Sequence, residues 1–143
     1  MSSQIALSGR DLSIADLKRA GESGTRASVT AAARERMQAT RRTVEKAVET
    51  ARVSYGITTG FGAFANRHIP THKVKELQLN LVRSHACGVG EPLAPATVRR
   101  LLLLKANNLA AGFSGVRPQV VDALLALLAA DVLPVIPGRG SVG

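Results

Sequence analysis

The sequence predicts an all-α fold, and three observations support that prediction. Ala, Leu and Val dominate a hydrophobic fraction of 45%, whereas aromatic residues make up 3% and Trp is absent. Ala and Leu are strong helix formers. Helix start and stop signals recur along the chain, and two stretches are apolar on most faces. Such helices need partners on every side, so we expect residues 1–143 to be part of a larger helical assembly.

The first two predicted helices have clear starting signals. Ser13 is followed three residues later by Asp16, which is the spacing of a capping box, and Gly21 can end that short helix. We interpret residues 21–28 as a polar loop. A long helix is predicted over residues 30 to about 52, because no proline interrupts its pattern. The candidates for its apolar face are Met37, Val44, Ala47 and Val48.

The middle of the chain predicts a loop and then an amphipathic helix. Three glycines and two threonines lie in residues 55–62 without hydrophobic periodicity, which is typical of a loop. The helix is predicted over residues 71 to about 86. Gly88 and Gly90 would close it, and Pro92 and Pro95 would prevent its continuation. Its apolar face would contain Val74, Leu77, Leu81 and Val82.

Two further helices are predicted in the last third of the chain. Residues 97–111 are apolar nearly all round, as expected for a helix at the centre of a bundle. Pro118 suits the first position of a helix that runs to about residue 132. Pro134 and Pro137 would then make a rigid exit into the glycine-rich tail. We predict no pair of β-strands.

Composition limits the compartment and the partners. No stretch approaches the roughly 20 apolar residues that span a bilayer, and the first twelve residues lack the apolar run of a signal peptide. A single cysteine, Cys87, cannot form an internal disulfide, which suits a reducing compartment. We therefore expect a soluble, cytoplasmic protein without a membrane partner.

The net charge of +9 has two interpretations. It suits a surface for nucleic acid or another acidic partner. It also suits solvated helix faces whose acidic counterweight lies in further sequence. We favour the second interpretation and expect no nucleic acid, because modules that read single strands usually stack bases on aromatic side chains, and this chain has one Tyr and three Phe. A non-catalytic basic helical binding module is the alternative if the polypeptide truly ends at Gly143.

Few residues are candidates for chemistry. Tyr55 is the only tyrosine and lies in the glycine-rich loop. Mobile loops on rigid scaffolds often carry catalytic groups, although a lone Tyr is more often a half-buried filler. His85 lies late in a predicted helix, where a hydrogen-bonded, partly buried His is the ordinary interpretation. It has no second ligand three or four residues away, so we predict no metal site.

The remaining candidates are assigned structural roles. His68 and His72 flank Pro70 in a polar stretch, and we expect both to face solvent. Cys87 is expected to be a small buried filler.

Several motifs follow one another along the chain. Residues 55–62 read Tyr-Gly-Ile-Thr-Thr-Gly-Phe-Gly, and residues 83–90 read Arg-Ser-His-Ala-Cys-Gly-Val-Gly. They are followed by Lys105-Ala-Asn-Asn-Leu, by Gly112-Phe-Ser-Gly-Val-Arg-Pro and by the tail at residues 140–143. In this order and at this approximate spacing, the motifs resemble those of the ammonia-lyase and aminomutase family, in particular its histidine-specific members. The resemblance is good over about residues 53–143 and loose over the first fifty.

The resemblance implies roles for individual residues. Tyr55 would be the general base that removes the β-proton of the substrate. Gly62, with Gly60, would let the loop approach the substrate closely. His85 would contact the substrate side chain. The cofactor 4-methylidene-imidazol-5-one would form from an Ala-Ser-Gly directly after Gly143, and the residues flanking it would be Gly140, Ser141, Val142 and Gly143.

The activity implied is the non-oxidative deamination of L-histidine to urocanate and ammonia. Phenylalanine-specific members usually have an apolar residue at the position of His85, whereas tyrosine lyases and some tyrosine aminomutases keep a histidine, so a tyrosine enzyme is left open. The family is typically a homotetramer with composite sites. We therefore expect residues 1–143 to be the N-terminal helical portion, ending just before the tripeptide and inactive alone. No metal or nucleotide is implied.

Overall fold

The computed structural model describes residues 4–50, 52–62 and 69–140, and most of the regular structure in these ranges is helical. This confirms the predicted fold class. The elements in chain order are β1 (Ile5–Leu7), α1 (Ile14–Ala20), β2 (Ala27–Val29), α2 (Ala31–Glu49), a 3₁₀ turn (Thr71–Lys73), α3 (Val74–His85), β3 (Val89–Pro92), α4 (Pro95–Ala110), α5 (Pro118–Ala129) and β4 (Pro137–Arg139).

Two small sheets show that the prediction of no strand pairs was wrong. β1 and β2 are parallel, with Ile5 opposite Ala27, and α1 makes the crossover between them. β2 occupies the end of the stretch that was interpreted as a polar loop. β3 and β4 are antiparallel, with Val89 opposite Arg139 and Pro92 opposite Pro137. Strands this short show no periodicity, and their partners lie far away in the sequence, so local patterns do not reveal them.

The predicted starts of three helices are confirmed. The N–H of Asp16 donates to Ser13 Oγ at 3.1 Å, and the N–H of Ser13 donates to Asp16 Oδ2 at 3.0 Å, which completes the capping box. Thr30 caps α2 through its side chain, and Pro118 occupies the first turn of α5. Hydrogen bonds from Ser13 lower the pKa of Asp16 to about 2.

Two boundaries differ from the prediction. α3 ends at His85, and the residues expected only to close that helix include strand β3. α4 begins at Pro95, two positions before the predicted start, because a proline is tolerated in the first turn, where no helical partner exists for its missing N–H.

The core is centred on α4, as its apolar composition predicted. α4 packs against α1, α2 and α5, and the β1–β2 pair lies on the same cluster. Met37 and Ala47 of α2 are buried as expected, while Val44 and Val48 are only half-buried. Fully buried side chains of this cluster include Leu7, Met37, Leu103, Val121 and Leu128.

The chain crosses itself closely where it leaves β1. Gly9 has a φ of 81°, and a Cβ there would lie 2.4 Å from the Cα of Ala111. The N–H of Gly9 donates to Asn107 Oδ1 at 3.0 Å. Only glycine fits this crossing, because any side chain would meet the backbone at the end of α4.

Ion pairs join segments that are distant in sequence. Arg99 of α4 donates through Nε to Asp131 Oδ1 at 2.6 Å, and through Nη1 to the carbonyl of Gly21 at 3.1 Å. Ser23 also donates to Asp131, at 2.8 Å. These bonds, first that from Arg99, lower the pKa of Asp131 to about 2. The loop after α1 is thereby tied to the end of α5.

Helix α3 differs from the other helices because none of its described residues is buried. Leu77 and Leu81 of its predicted apolar face are half-buried, whereas Val82 is 68% exposed. Within the described ranges, α3 packs mainly against the 3₁₀ turn that precedes it. In the same ranges, no helix has the length and apolar character needed to cross a membrane.

Candidate active site

Residues 52–62, which include the glycine-rich loop, contain a tight turn from Ser54 to Thr58 that Thr58 closes. The N–H of Thr58 donates to the carbonyl of Ser54 at 3.0 Å, and the hydroxyl of Thr58 accepts from the N–H of Ser54 at 2.9 Å. The same hydroxyl donates to the carbonyl of Arg52 at 2.6 Å. Thr58 is only 3% exposed, so these bonds are largely shielded from water.

Tyr55 lies inside this turn and points its ring outward. Its side chain is 66% exposed, so it is not the half-buried filler that a lone tyrosine usually is. The ring packs edge-on against Phe61, with 5.9 Å between the ring centroids. Gly56 has a φ of 72°, and a Cβ there would lie 3.2 Å from the ring of Phe61. Glycine at this position therefore permits both the turn and the contact between the two rings.

Gly62, predicted to contact the substrate, lies at the end of the described part of this loop. It is exposed, its φ is 54°, and no atom of the described residues lies within 4 Å of where its Cβ would be. Its contact with the substrate remains a prediction.

His85 is the last residue of α3 and is exposed rather than partly buried. Its Nδ1 lies 2.9 Å from the carbonyl oxygen of Leu81 and 3.0 Å from the hydroxyl of Ser84. Because a carbonyl oxygen can only accept, the contact with Leu81 requires the proton to be on Nδ1. In the neutral tautomer that carries this proton, Nε2 is a hydrogen-bond acceptor that a ligand can use.

A groove of about 750 Å³ is lined by both His85 and Gly140, the first of the predicted cofactor-flanking residues. Its wall on the α3 side includes His85, Cys87 and Gly88, and its other wall includes Gly138 and Gly140. The pairing of β3 with β4 joins the two walls. The residues of the two walls belong to separate motifs in the sequence, and the fold brings them together.

Cys87 lies on this groove and is exposed, so its prediction as a buried filler was wrong. The physical reason is that α3 ends at His85, which places Cys87 in the connection to β3 rather than on a helix face. His72 is exposed, as predicted. In the described ranges, no three His, Cys, Asp or Glu side chains gather as a metal site would require.

Tyr55 does not line the groove of His85. Its neighbour Phe61 instead lines a mostly apolar cavity of about 370 Å³ between the glycine-rich loop and α3, together with Leu81 and Ser84. Three of the predicted cofactor-flanking residues, Ser141, Val142 and Gly143, lie outside the described residues, as does His68.

Thr58 is the residue of this site that sequence analysis did not single out. The available signal was a pair of threonines in a loop with few other polar side chains to satisfy its backbone. Both Thr58 and Thr59 are buried, but the hydroxyl of Thr59 bonds only locally, to the carbonyl of Gly60 at 3.0 Å.

Comparison with known proteins gives a consistent set of relatives. A family model described as aromatic amino acid lyase matches residues 12–143. A histidine ammonia-lyase of Sorangium cellulosum (strain So ce56) is 49% identical over 96% of this chain and 27% of that protein. A histidine ammonia-lyase of Deinococcus radiodurans is 48% identical over 94% of this chain and 26% of that protein.

Solved structures agree with this result. A histidine ammonia-lyase from Trypanosoma cruzi has a TM-score of 0.87 and 38% identity over 99% of this chain and 27% of its own. A tyrosine aminomutase from Streptomyces globisporus has a TM-score of 0.91 and 33% identity over 97% of this chain and 26% of its own. This chain thus spans only about a quarter of the length of the proteins it matches.

Proposed function

We propose a function from one premise: the chain belongs to the aromatic amino acid lyase family, whose model covers residues 12–143. The proposed activity is the non-oxidative deamination of L-histidine to urocanate and ammonia. The observation that carries it is the groove shared by His85 and Gly140. Because this chain spans 27% of its relative from Sorangium cellulosum, we assign the activity to a longer polypeptide of which residues 1–143 are the N-terminal portion.

The tight packing of the main chain before Gly140 favours our proposal that the cofactor forms from the backbone that follows. A Cβ on Gly138 would lie 3.0 Å from the carbonyl oxygen of Glu91, and one on Gly88 would lie 3.1 Å from Cγ of Pro137. Bare backbone therefore forms this end of the groove. We propose that an Ala-Ser-Gly after Gly143 forms 4-methylidene-imidazol-5-one. That group supplies an electrophile that no ordinary side chain offers and makes ammonia a competent leaving group.

Tyr55 is the proposed general base. Reacting as the phenolate, its oxygen would accept the β-proton and become a phenol while the carbon–nitrogen bond breaks and the double bond of urocanate forms. Its exposure and its place in a closed turn support this role, since a base must reach the substrate and be held in orientation. We propose that the further residues a complete site needs lie beyond position 143 or on neighbouring subunits of a homotetramer.

His85 is the proposed contact for the substrate side chain. With its proton on Nδ1, the ring offers Nε2 as an acceptor, which suits the N–H of an imidazole or the O–H of a phenol. Phenylalanine brings no such donor. The histidine ammonia-lyases of Sorangium cellulosum and Deinococcus radiodurans are 49% and 48% identical to this chain, whereas the tyrosine aminomutase is 33% identical, which favours histidine over tyrosine.

The first test is the intact mass of the purified, denatured polypeptide. A mass near 15.0 kDa would mean that the polypeptide ends at Gly143 and would exclude the lyase mechanism for it. A much larger mass that is short of its encoded value by two water molecules would support formation of the cofactor. We propose a cytoplasmic enzyme, so the polypeptide should be recovered from that fraction.

The second test compares substrates and variants of the longer polypeptide. L-histidine and L-tyrosine are supplied separately, and absorbance by urocanate or coumarate is followed. Tyr55→Phe should lower kcat by about 10²–10⁴-fold, the usual contribution of a general base. Val53→Ala is the matched control, because Val53 is similarly exposed in the same loop and should leave kcat unchanged. Coumarate without urocanate would make the enzyme a tyrosine lyase.

A further inference from the structure

We infer that Thr58 is a positioning residue that holds Tyr55 in the orientation its reaction requires. The inference rests on the proposed role of Tyr55 as base. Its structural basis is the hydrogen bonding of Thr58, which surrounds Tyr55 on both sides of the turn.

The turn is closed in two directions by the same pair of residues. Ser54 accepts from the backbone N–H of Thr58 at 3.0 Å and donates its own N–H to the Thr58 hydroxyl at 2.9 Å. This closure from residue i to residue i+4 leaves Tyr55 as the first of the three residues inside the turn. The backbone of Tyr55 therefore cannot rotate freely while both bonds are intact.

Thr58 also anchors the turn to its surroundings. Its hydroxyl donates to the carbonyl of Arg52 at 2.6 Å, before the turn. Its own carbonyl accepts from the N–H of Ile69 at 2.9 Å, on the segment that leads into α3. One buried residue thus connects the Tyr55 turn to the segment that enters the helix of His85. Removing the hydroxyl would take the acceptor away from the Ser54 N–H and the donor away from the Arg52 carbonyl.

The neighbouring Thr59 provides a matched control. It is 1% exposed, as deeply buried as Thr58, but among the described residues its hydroxyl bonds only to the carbonyl of the next residue. Thr58→Val and Thr59→Val make the same chemical change at adjacent buried positions. A positioning role predicts different results from the two variants, whereas general damage to the loop predicts the same result.

The first readout is the motion of Tyr55 itself. The chain has one tyrosine and no tryptophan, so its intrinsic fluorescence comes from Tyr55. Circular dichroism and cooperative urea unfolding first establish that the unmodified 143-residue chain folds by itself. Time-resolved anisotropy of that folded chain should then show a larger amplitude of fast motion in Thr58→Val than in the unmodified chain. Thr58→Ser and Thr59→Val should resemble the unmodified chain. If Thr58→Val fails to fold by circular dichroism, Thr58→Ala, which adds no bulk, takes its place.

The second readout is catalysis by the longer polypeptide. Thr58→Val should lower kcat by about 10–100-fold with KM changed less than about twofold, because misplaced groups slow chemistry more than binding. The kinetic isotope effect with β-deuterated substrate should rise, since proton removal becomes more rate-limiting. Thr58→Ser should restore both values. A lower kcat without a larger isotope effect would overturn the inference, as would equal effects of Thr58→Val and Thr59→Val.

The two proposals fail in different ways. Unchanged anisotropy in Thr58→Val overturns the positioning role even if Tyr55→Phe is inactive, and the role of Tyr55 then stands alone. Full activity of Tyr55→Phe overturns the proposed base, and the inference about Thr58 falls with it even if the anisotropy changes.

Discussion

In one region of this molecule the structure depends on buried apolar side chains, and in the other it depends on local hydrogen bonds. The scaffold consists of β1, β2, α1, α2, α4 and α5, and its core contains fully buried residues such as Leu103 and Val121. The site region consists of residues 52–62, α3, β3 and β4. In its described part the buried side chains are those of Thr58 and Thr59, while Tyr55, Val82 and Val89 are all more than 60% exposed.

The comparison shows which interactions fix the conformation of each region. The scaffold is ordered by the apolar surface that its helices and the β1–β2 pair bury against one another. In the site region, the groove is fixed by strand pairing, and the turn of Tyr55 is fixed by the bonds of Thr58. Substitutions in the scaffold should therefore change stability, whereas substitutions in the site region should change local order and catalysis. Four measurements test that division.

The largest expected effect is in the core of the scaffold. Leu103→Ala, at a fully buried position of α4, should lower the free energy of unfolding by about 2–5 kcal/mol, the usual cost of lost apolar contact plus the cavity left behind. Urea unfolding of the 143-residue chain, followed by circular dichroism, measures it. A loss below about 1 kcal/mol would mean that the scaffold core is not close-packed.

Gly9→Ala should have the next largest effect. The new Cβ would lie 2.4 Å from the backbone of Ala111, and the φ of 81° is strained for alanine. We expect a loss of about 2–4 kcal/mol from the forced backbone shift and the strain together. The same unfolding assay applies, with Gly24→Ala as control. Gly24 has a similar φ but open space around its Cβ, so the difference between the two variants isolates the clash.

Acid should weaken the scaffold through Asp16 and Asp131. Their pKa values are lowered to about 2 in the folded chain, from an ordinary value of 3.8. A lowered folded pKa contributes stability that is present above the unfolded pKa and is lost as pH falls through the folded pKa. Thermal unfolding should therefore shift to lower temperature between about pH 4 and pH 2. In Asp131→Asn this shift should be smaller, and an equal shift would exclude Asp131 as a contributor.

The smallest effect is expected on the exposed face of α3. Val82→Ala, at a side chain that is 68% exposed, should change the free energy of unfolding of the 143-residue chain by no more than about 0.5 kcal/mol. A loss comparable with that of Leu103→Ala would contradict the division, because it would show that α3 is packed as part of the core.

Local signals in the sequence predicted the helices well. Ser13 with Asp16, Thr30 and Pro118 each act through bonds or geometry within one turn, so the sequence pattern is sufficient to locate them. Strand β3 (Val89–Pro92) was not predicted because it is exposed throughout and contains a glycine and a proline, which are rare in strands. It is a strand because it pairs with β4. Pairing between distant segments is a tertiary property that a short pattern does not contain.

For the candidate site, too, local motifs were evident in the sequence and contacts between distant segments were not. Motifs identified Tyr55 and His85, and the structure places His85 with Gly140 on one groove. The importance of Thr58 was not evident, because it depends on which carbonyl and N–H groups the folded turn leaves without partners. That Tyr55 does not line this groove could not be predicted either, since the groove lies beside a strand pair that joins distant parts of the chain.

The β3–β4 pairing also determines when the groove can exist. β3 follows α3 directly, but β4 is separated from it by the whole of α4 and α5. Bringing β3 and β4 together closes a long loop, and loop closure has an entropic cost. That cost is smaller once α4 and α5 have packed together, because their packing brings the two ends of the loop close. Contacts between residues so distant in sequence form late in folding. We expect a chain emerging from the ribosome to complete α3, with His85 at its end, well before the opposite wall of the groove arrives.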